Sequence, residues 1–242
     1  MSLPVEIWLA LGIALFYLYD SLVMLEPNEL VLIESGGRWS AFVPLSDWQF
    51  RGKYLYLPNP FVPVQTLYRL DWRAGGADPA NPAAPAVLDG FLAAQVFLRP
   101  VVLVLFFLLA VLLPAAICYV APLRLLLAIV GEAYAFILIA ALLLYRQRKG
   151  LLLDGKAALK LAMDGLLCAP FSLNLIRKLG LGYNWQGDPV AFAHGVMKPD
   201  RFATLRDSLL RRIDKDLQML DEEEPMHQAL QETRRRFSEM GT

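Results

Sequence analysis

The sequence predicts a mainly α-helical integral membrane protein with three transmembrane helices, a small antiparallel β module and a helical C-terminal tail. Of its 242 residues, 57% are hydrophobic and only 19% are charged, which is more apolar than a typical soluble domain. Two long apolar blocks interrupt the chain, one at the N-terminus and one in the middle. A cluster of cations directly follows the second block, as is common on the cytoplasmic side of a membrane.

Residues 1–25 are expected to form an N-terminal transmembrane anchor. The stretch from Pro4 to Leu25 is long enough to cross about 30 Å of hydrocarbon at about 1.5 Å per residue. No Lys or Arg precedes it and no small-x-small cleavage pattern follows it. These features favour a retained anchor over a cleaved signal peptide.

The middle block, residues 91–145, is too long for one helix and is interrupted at Ala121-Pro122. We therefore expect a hairpin of two spanning helices, Val101–Val120 and Leu123–Tyr145. Pro114 lies inside the first, where it is expected to kink the helix because it cannot donate a backbone hydrogen bond.

The orientation prediction depends on Arg146, Arg148 and Lys149, which come directly after the hairpin. They place that end in the cytoplasm. With three spans, the N-terminus then lies outside and the C-terminus in the cytoplasm. The expected location is a cell membrane, specifically a bacterial inner membrane.

Residues 26–73 are predicted to form the cytoplasmic β module. Four runs rich in β-branched and aromatic residues are separated by turn signals such as Gly36-Gly37, a pattern typical of short antiparallel strands. The runs are Glu29–Glu34, Arg38–Val43, Lys53–Leu57 and Val64–Trp72. Residues 74–90, which are rich in Ala, Pro and Gly, are expected to be a flexible linker.

Residues 146–198 contain a segment with helical apolar spacing, which includes Leu159, Met163 and Leu167. Two interpretations stay open. The segment is either an amphipathic helix on the cytoplasmic surface of the membrane or a helix packed under the β module.

The tail, residues 199–242, predicts two polar helices separated by an acidic stretch and Pro225. The first carries an apolar stripe at steps of three or four residues, which favours packing against another helix. The stripe is a candidate surface for a soluble protein partner, although the second tail helix could also cover it. Its residues are Phe202, Leu205, Leu209, Ile213, Leu217 and Leu220.

Glu132 is the most informative candidate residue because it falls near the middle of the last predicted span, where an ionised carboxylate costs several kcal/mol. Ala128, Gly131 and Ala135 share its side of the helix and would let a neighbouring helix approach closely. Glu132 could pair with a basic residue of another subunit, bind a proton or cation, or stay protonated and bond to a tyrosine or a carbonyl. Arg124, two turns earlier, is expected to anchor the helix at the outer headgroups.

Enzymatic chemistry has little support. The two histidines, His194 and His227, are isolated, and neither a metal-binding spacing nor a nucleotide-binding or nucleophile motif is present. We therefore expect no catalytic residue, metal or cofactor. A net charge of zero gives no reason to expect nucleic acid as a partner.

The sequence is best interpreted as a non-enzymatic membrane subunit or scaffold. Its expected partners are membrane lipids, helices of other membrane subunits in a homo- or hetero-oligomer, and a soluble cytoplasmic protein. A channel or ion-coupled transport component that uses Glu132 is the alternative. A membrane enzyme acting on lipid-linked substrates is the third hypothesis.

Overall fold

The computed structural model describes residues 5–46, 48–72, 83–119, 121–185, 188–219 and 224–239. The chain forms two compact units, which we call the helical unit and the mixed unit. The helical unit comprises Met1–Leu22, Leu57–Thr66 and Pro85–Tyr183. The mixed unit comprises Val23–Tyr56, Leu67–Ala84 and Asn184–Thr242.

Helices account for most of the first unit. They are α1 (Val5–Ser21), α2 (Ala83–Val96), α3 (Arg99–Phe106), a π-helical segment (Phe107–Leu112), α4 (Leu113–Cys118), α5 (Leu123–Arg146), α6 (Gly155–Leu167), α7 (Ala169–Ser172) and α8 (Leu175–Leu181). Two continuous helices within the described residues are long and apolar enough to cross a membrane. These are Arg99–Cys118 and Leu123–Arg146, whose most apolar 18-residue stretches have mean hydropathies of 3.1 and 2.4.

Helix α1 is shorter than the anchor predicted from the sequence. Its described part has 17 residues and ends at Ser21, and Val23–Leu25 form strand β1 instead of a last helical turn. Pro4 lies outside the described residues. The β-branched and aliphatic side chains of this short run can be buried by a strand partner, which local periodicity does not reveal.

The kink predicted at Pro114 takes the form of the π-helical segment that precedes it. The backbone N–H of Leu113 donates to the carbonyl of Leu108, five residues back. Proline offers no N–H, and its ring would collide with the carbonyl of Ala110 in a regular α-helix, so one wider turn accommodates it. Val120, the predicted end of this span, lies outside the described residues.

Helix α6 runs back along α5, antiparallel to it. A Cβ built on Gly165 would lie 3.7 Å from the Cγ2 atom of Ile137, and Ala158 is buried. Leu159, Met163 and Leu167 are exposed on the other side of the helix. The small residues thus explain why α6 packs on α5.

The predicted linker is helical at its C-terminal end, since α2 begins at Ala83. Alanine and leucine favour a helix there, and Pro85 is tolerated in a first turn. Residues 74–82, the other part of the linker, lie outside the described residues, as does Arg73 at the end of the predicted β module.

The mixed unit contains the predicted antiparallel sheet. Strands β2 (Glu29–Ser35), β3 (Arg38–Phe42) and β5 (Thr66–Asp71) form a sheet in the order β3-β2-β5, and β1 pairs with β4 (Tyr54–Tyr56). The β2–β3 turn uses Gly36 and Gly37, both with positive φ, as a two-residue hairpin turn requires.

Three helices complete the mixed unit: α9 (Pro189–Val196), α10 (Pro199–Leu217) and α11 (Pro225–Glu239). The predicted tail stripe lies on α10. Phe202, Leu205, Leu209 and Ile213 are buried, and α10 packs on α11, β3 and α9. The stripe is therefore covered by the chain's own elements and is not an open surface for a soluble partner. Leu217 is half-buried, and Leu220 lies outside the described residues.

Candidate functional site

Helix α5 has two different faces. One packs inside the helical unit through aliphatic and alanine side chains at helical spacing. The buried residues are Ile129, Ala133, Ile137, Ala140 and Leu144. This face holds α5 against α3, α4 and α6, so the opposite face is the one that remains outside.

The outward face carries the predicted site residues, which we call the Glu132 face. Ala128, Gly131, Glu132 and Ala135 are all exposed, and a Cβ added at Gly131 would meet nothing within 4 Å. Within the part of the chain that the structure describes, Glu132 makes no hydrogen bond or ion pair. The four residues lie on one face of α5, and no helix among the described elements covers them.

No tyrosine is a hydrogen-bond partner of Glu132 in the part of the chain that the structure describes. Tyr17 donates its hydroxyl to the carbonyl of Pro60 at 2.6 Å instead. Tyr19 and Tyr119 are exposed, at 71% and 87%, and the described contacts give neither of them a bond to Glu132. The interpretation in which an intrachain tyrosine neutralises this carboxyl group therefore has no geometric basis among the described residues.

Arg124 stands at the start of α5, one residue after the helix begins at Leu123. Its side chain is exposed and forms no hydrogen bond or ion pair with another described residue. It lies two turns from Glu132, or about 12 Å along the axis. The two groups therefore do not form a pair within one chain.

Sequence reasoning missed a buried polar cluster at the C-terminal end of α1. Its centre is Arg177 of α8, which is 1% exposed. One guanidinium nitrogen donates to Asn174 Oδ1 at 2.8 Å and to Ser21 Oγ at 3.0 Å. The other donates to the carbonyls of Asn59 at 2.7 Å and Val62 at 3.1 Å. One side chain thus joins α1, α8 and the segment between β4 and β5.

The cluster continues at its edge through Asp20 and Lys178. Lys178 Nζ lies 3.0 Å from one oxygen of Asp20, and the amide of Asn174 donates to the other at 3.0 Å. A sequence signal for the cluster existed, because Asn174, Arg177 and Lys178 interrupt the apolar segment after Pro170. The hydrogen bonds link residues up to 160 positions apart, so the cluster holds the fold together and offers no open chemical site.

Charged side chains of the mixed unit also form ion pairs with one another. Arg212, which is buried, pairs with Asp216 at 3.1 Å. Arg234 and Arg236 reach Asp214 at 2.6 Å and Asp188 at 3.2 Å. The Arg234 pair connects α11 to α10, and the Arg236 pair connects α11 to the residue before α9.

The histidines do not form a metal site in the described residues. His194 packs its ring edge-on against Phe202, and His227 lies on α11, largely buried. Among the residues that the structure describes, no group of three or more His, Cys, Asp or Glu side chains could hold a metal ion.

Comparisons with known proteins do not assign the chain to a family. Neither the sequence nor the fold gives a significant match to a protein-family model, a curated protein or a solved structure.

Proposed function

We propose that this chain is a non-enzymatic subunit of a membrane complex, in which the Glu132 face of α5 packs against a helix of a partner subunit. The observation that carries the proposal is the exposed position of Glu132 among Ala128, Gly131 and Ala135, with no described partner in its own chain. The alternative functions need a water-filled path or a catalytic group, and nothing in the described residues favours either.

Insertion in a membrane is the first step of the argument. Only 39% of the most apolar 18-residue stretch of Arg99–Cys118, and 22% of the corresponding stretch of Leu123–Arg146, is buried inside the structure. Core helices of a soluble protein are mostly buried, and exposed apolar surface on this scale is costly in water. Lipid removes that cost. The 17 described residues of α1 reach the lower end of the length range for a third span.

The position of Glu132 is the second step. It lies nine residues after Leu123, or about 14 Å along α5, close to the midplane of a 30 Å hydrocarbon core. A carboxyl group that faces lipid at that depth costs several kcal/mol. A partner helix that offers a cation, a hydrogen-bond donor or a second carboxyl group removes this cost, and the small neighbours of Glu132 let that helix come close.

The orientation follows from Arg146, Arg148 and Lys149 at the end of α5. They favour a cytoplasmic position for that end, and Lys156 and Lys160 at the start of α6 agree with it. The N-terminus then lies outside and the C-terminal mixed unit in the cytoplasm. A soluble partner would have to bind a surface of the mixed unit other than the buried stripe of α10.

The test compares Gly131→Leu with Gly12→Leu on α1. The two glycines are matched, because a Cβ at either one would meet nothing within 4 Å. We expect Gly131→Leu to abolish the oligomer or the co-purifying subunit seen by native mass spectrometry after mild solubilisation. Gly12→Leu should leave the complex intact. If the wild-type chain is a lone monomer, or if Gly131→Leu assembles normally, the proposal is wrong.

Glu132→Gln separates assembly from transport. We expect the amide to weaken the complex, since it cannot pair with a cation, and we expect no ion flux from the wild-type protein in liposomes. A variant that assembles normally but abolishes a measurable wild-type flux would support the transport component instead.

A further inference from the structure

A second feature of the helical unit is a cleft between α1, α4, α5 and the turn between α6 and α7. Its volume is about 550 Å³, within the range of small-molecule sites. Leu9, Ile117, Leu126, Val130, Cys168 and Pro170 are among the residues that line it. The lining is apolar apart from the hydroxyl of Tyr134 and the thiol of Cys168, so it does not hold water well.

The length of the cleft matches one leaflet of a membrane. Along α5 it extends from Leu123 to Tyr134, which is eleven steps of about 1.5 Å, or about 16 Å. Half of a hydrocarbon core of about 30 Å is about 15 Å. Leu167, Cys168 and Pro170, at the turn between α6 and α7, also line the cleft. A single acyl chain that lies along this part of α5 would therefore span about the depth of one leaflet.

A positive charge stands next to one end of the lining. Arg124 follows Leu123, which lines the cleft, and it is exposed and has no partner among the described residues. A guanidinium group binds phosphate oxygens through paired, charge-assisted hydrogen bonds, and an arginine side chain is long enough to reach the headgroup level. The lining of this apolar cleft thus extends over about the depth of one leaflet, and the residue after Leu123 is an arginine that can bind phosphate.

We propose that this cleft holds one acyl chain of a glycerophospholipid whose phosphate group binds Arg124. The proposal rests on the proposed membrane insertion of α3–α5 and is independent of a partner at the Glu132 face. In the proposed orientation the lipid comes from the outer leaflet. The bound chain supplies the packing that α1, α4 and α5 lack between them, so the lipid acts as a structural ligand.

The two cysteines of the chain provide the test, because Cys168 lines the cleft and Cys118, at the end of α4, is exposed and does not. The protein in mild detergent is treated with N-ethylmaleimide, with and without added phosphatidylglycerol, and the modification of each cysteine is followed by peptide mass spectrometry. At lipid concentrations about ten times Kd, we expect modification of Cys168 to slow about tenfold. The rate at Cys118 should not change.

Two variants locate the lipid within the cleft. Val130→Phe fills it and should abolish the effect of phosphatidylglycerol on Cys168, whereas Val104→Phe, an exposed position on α3 outside the lining, should preserve it. Arg124→Gln should raise the phosphatidylglycerol concentration needed for protection about tenfold. The matched change at the other end of α5, Arg146→Gln, should have no effect.

Several results would overturn the proposal. These are unchanged modification of Cys168, equal protection of both cysteines, or protection that survives Val130→Phe. Equal protection by palmitate, with no effect of Arg124→Gln, would show that any acyl chain binds and that the phosphate is not recognised. Gly131→Leu distinguishes failure of the lipid site from failure of the proposed subunit interface. If it disrupts the complex and leaves Cys168 protection intact, the lipid site and the subunit interface are separate, and either can fail alone.

Discussion

Two charged side chains of the helical unit, Arg177 and Glu132, have opposite surroundings. Arg177 is 1% exposed and donates to side chains and carbonyls from three parts of the chain. Glu132 is exposed and bonds to nothing among the described residues. Buried polar groups stabilise a fold only when their hydrogen bonds are satisfied. Arg177 therefore contributes to the stability of the single chain, whereas the role proposed for Glu132 is an interaction with a partner subunit.

The largest expected effect tests the first half of this comparison. Arg177→Met should lower the free energy of unfolding by about 3 kcal/mol or more, since it leaves several buried acceptors without donors at about 1–3 kcal/mol each. The measurement is denaturant unfolding of the protein in mixed micelles. Arg124→Met is the matched control and should stay within about 0.5 kcal/mol of wild type, as expected for an exposed group. If both changes lowered the free energy of unfolding equally, the hydrogen bonds of Arg177 would not contribute specifically to stability.

A smaller effect is expected at the edge of the same cluster. Tyr17→Phe removes the hydroxyl that donates to the carbonyl of Pro60 at 2.6 Å and accepts from Arg177 at 3.4 Å. We expect a loss of about 1–2 kcal/mol in the same unfolding measurement, because one buried acceptor loses its donor. Tyr19→Phe, at a residue that is 71% exposed, should cost nothing measurable. A neutral Tyr17→Phe would mean that the cluster does not depend on this hydroxyl.

Local sequence patterns predicted the features that depend on neighbouring residues. The predicted helix Leu123–Tyr145 differs from α5 by one residue at its end, because Pro122 starts it and the cations after Tyr145 mark its end. The β2–β3 hairpin was predicted in the same way, because Gly36-Gly37 marks the turn between its two strands. The tail stripe was correctly predicted as one face of a helix, since periodicity reports which side chains share a face.

Periodicity does not report what covers a face, and this explains the errors. The contacts that bury the α10 stripe come from β3, α9 and α11. The direction of α6 depends on the small surfaces of Ala158 and Gly165 against α5. The Arg177 cluster joins residues separated by 115 to 160 positions. Residue spacing indicates which side chains share a face, and polar residues such as Arg177 that interrupt an apolar segment indicate that a partner is needed, but neither identifies the element that provides it.

The smallest expected effect tests the second half of the comparison. Glu132→Gln should change the free energy of unfolding of the isolated, monomeric chain in micelles by less than about 0.5 kcal/mol, because the side chain has no described partner to lose. Asp20→Asn is the matched acid-to-amide control. It should cost about 1 kcal/mol, since Asp20 pairs with Lys178 at 3.0 Å in a partly buried place. The monomer must be used, because a bound partner would add its own contribution to the stability. If Glu132→Gln destabilised the monomer as much as Asp20→Asn does, Glu132 would have an intrachain role, and the need for a partner helix at mid-membrane would disappear.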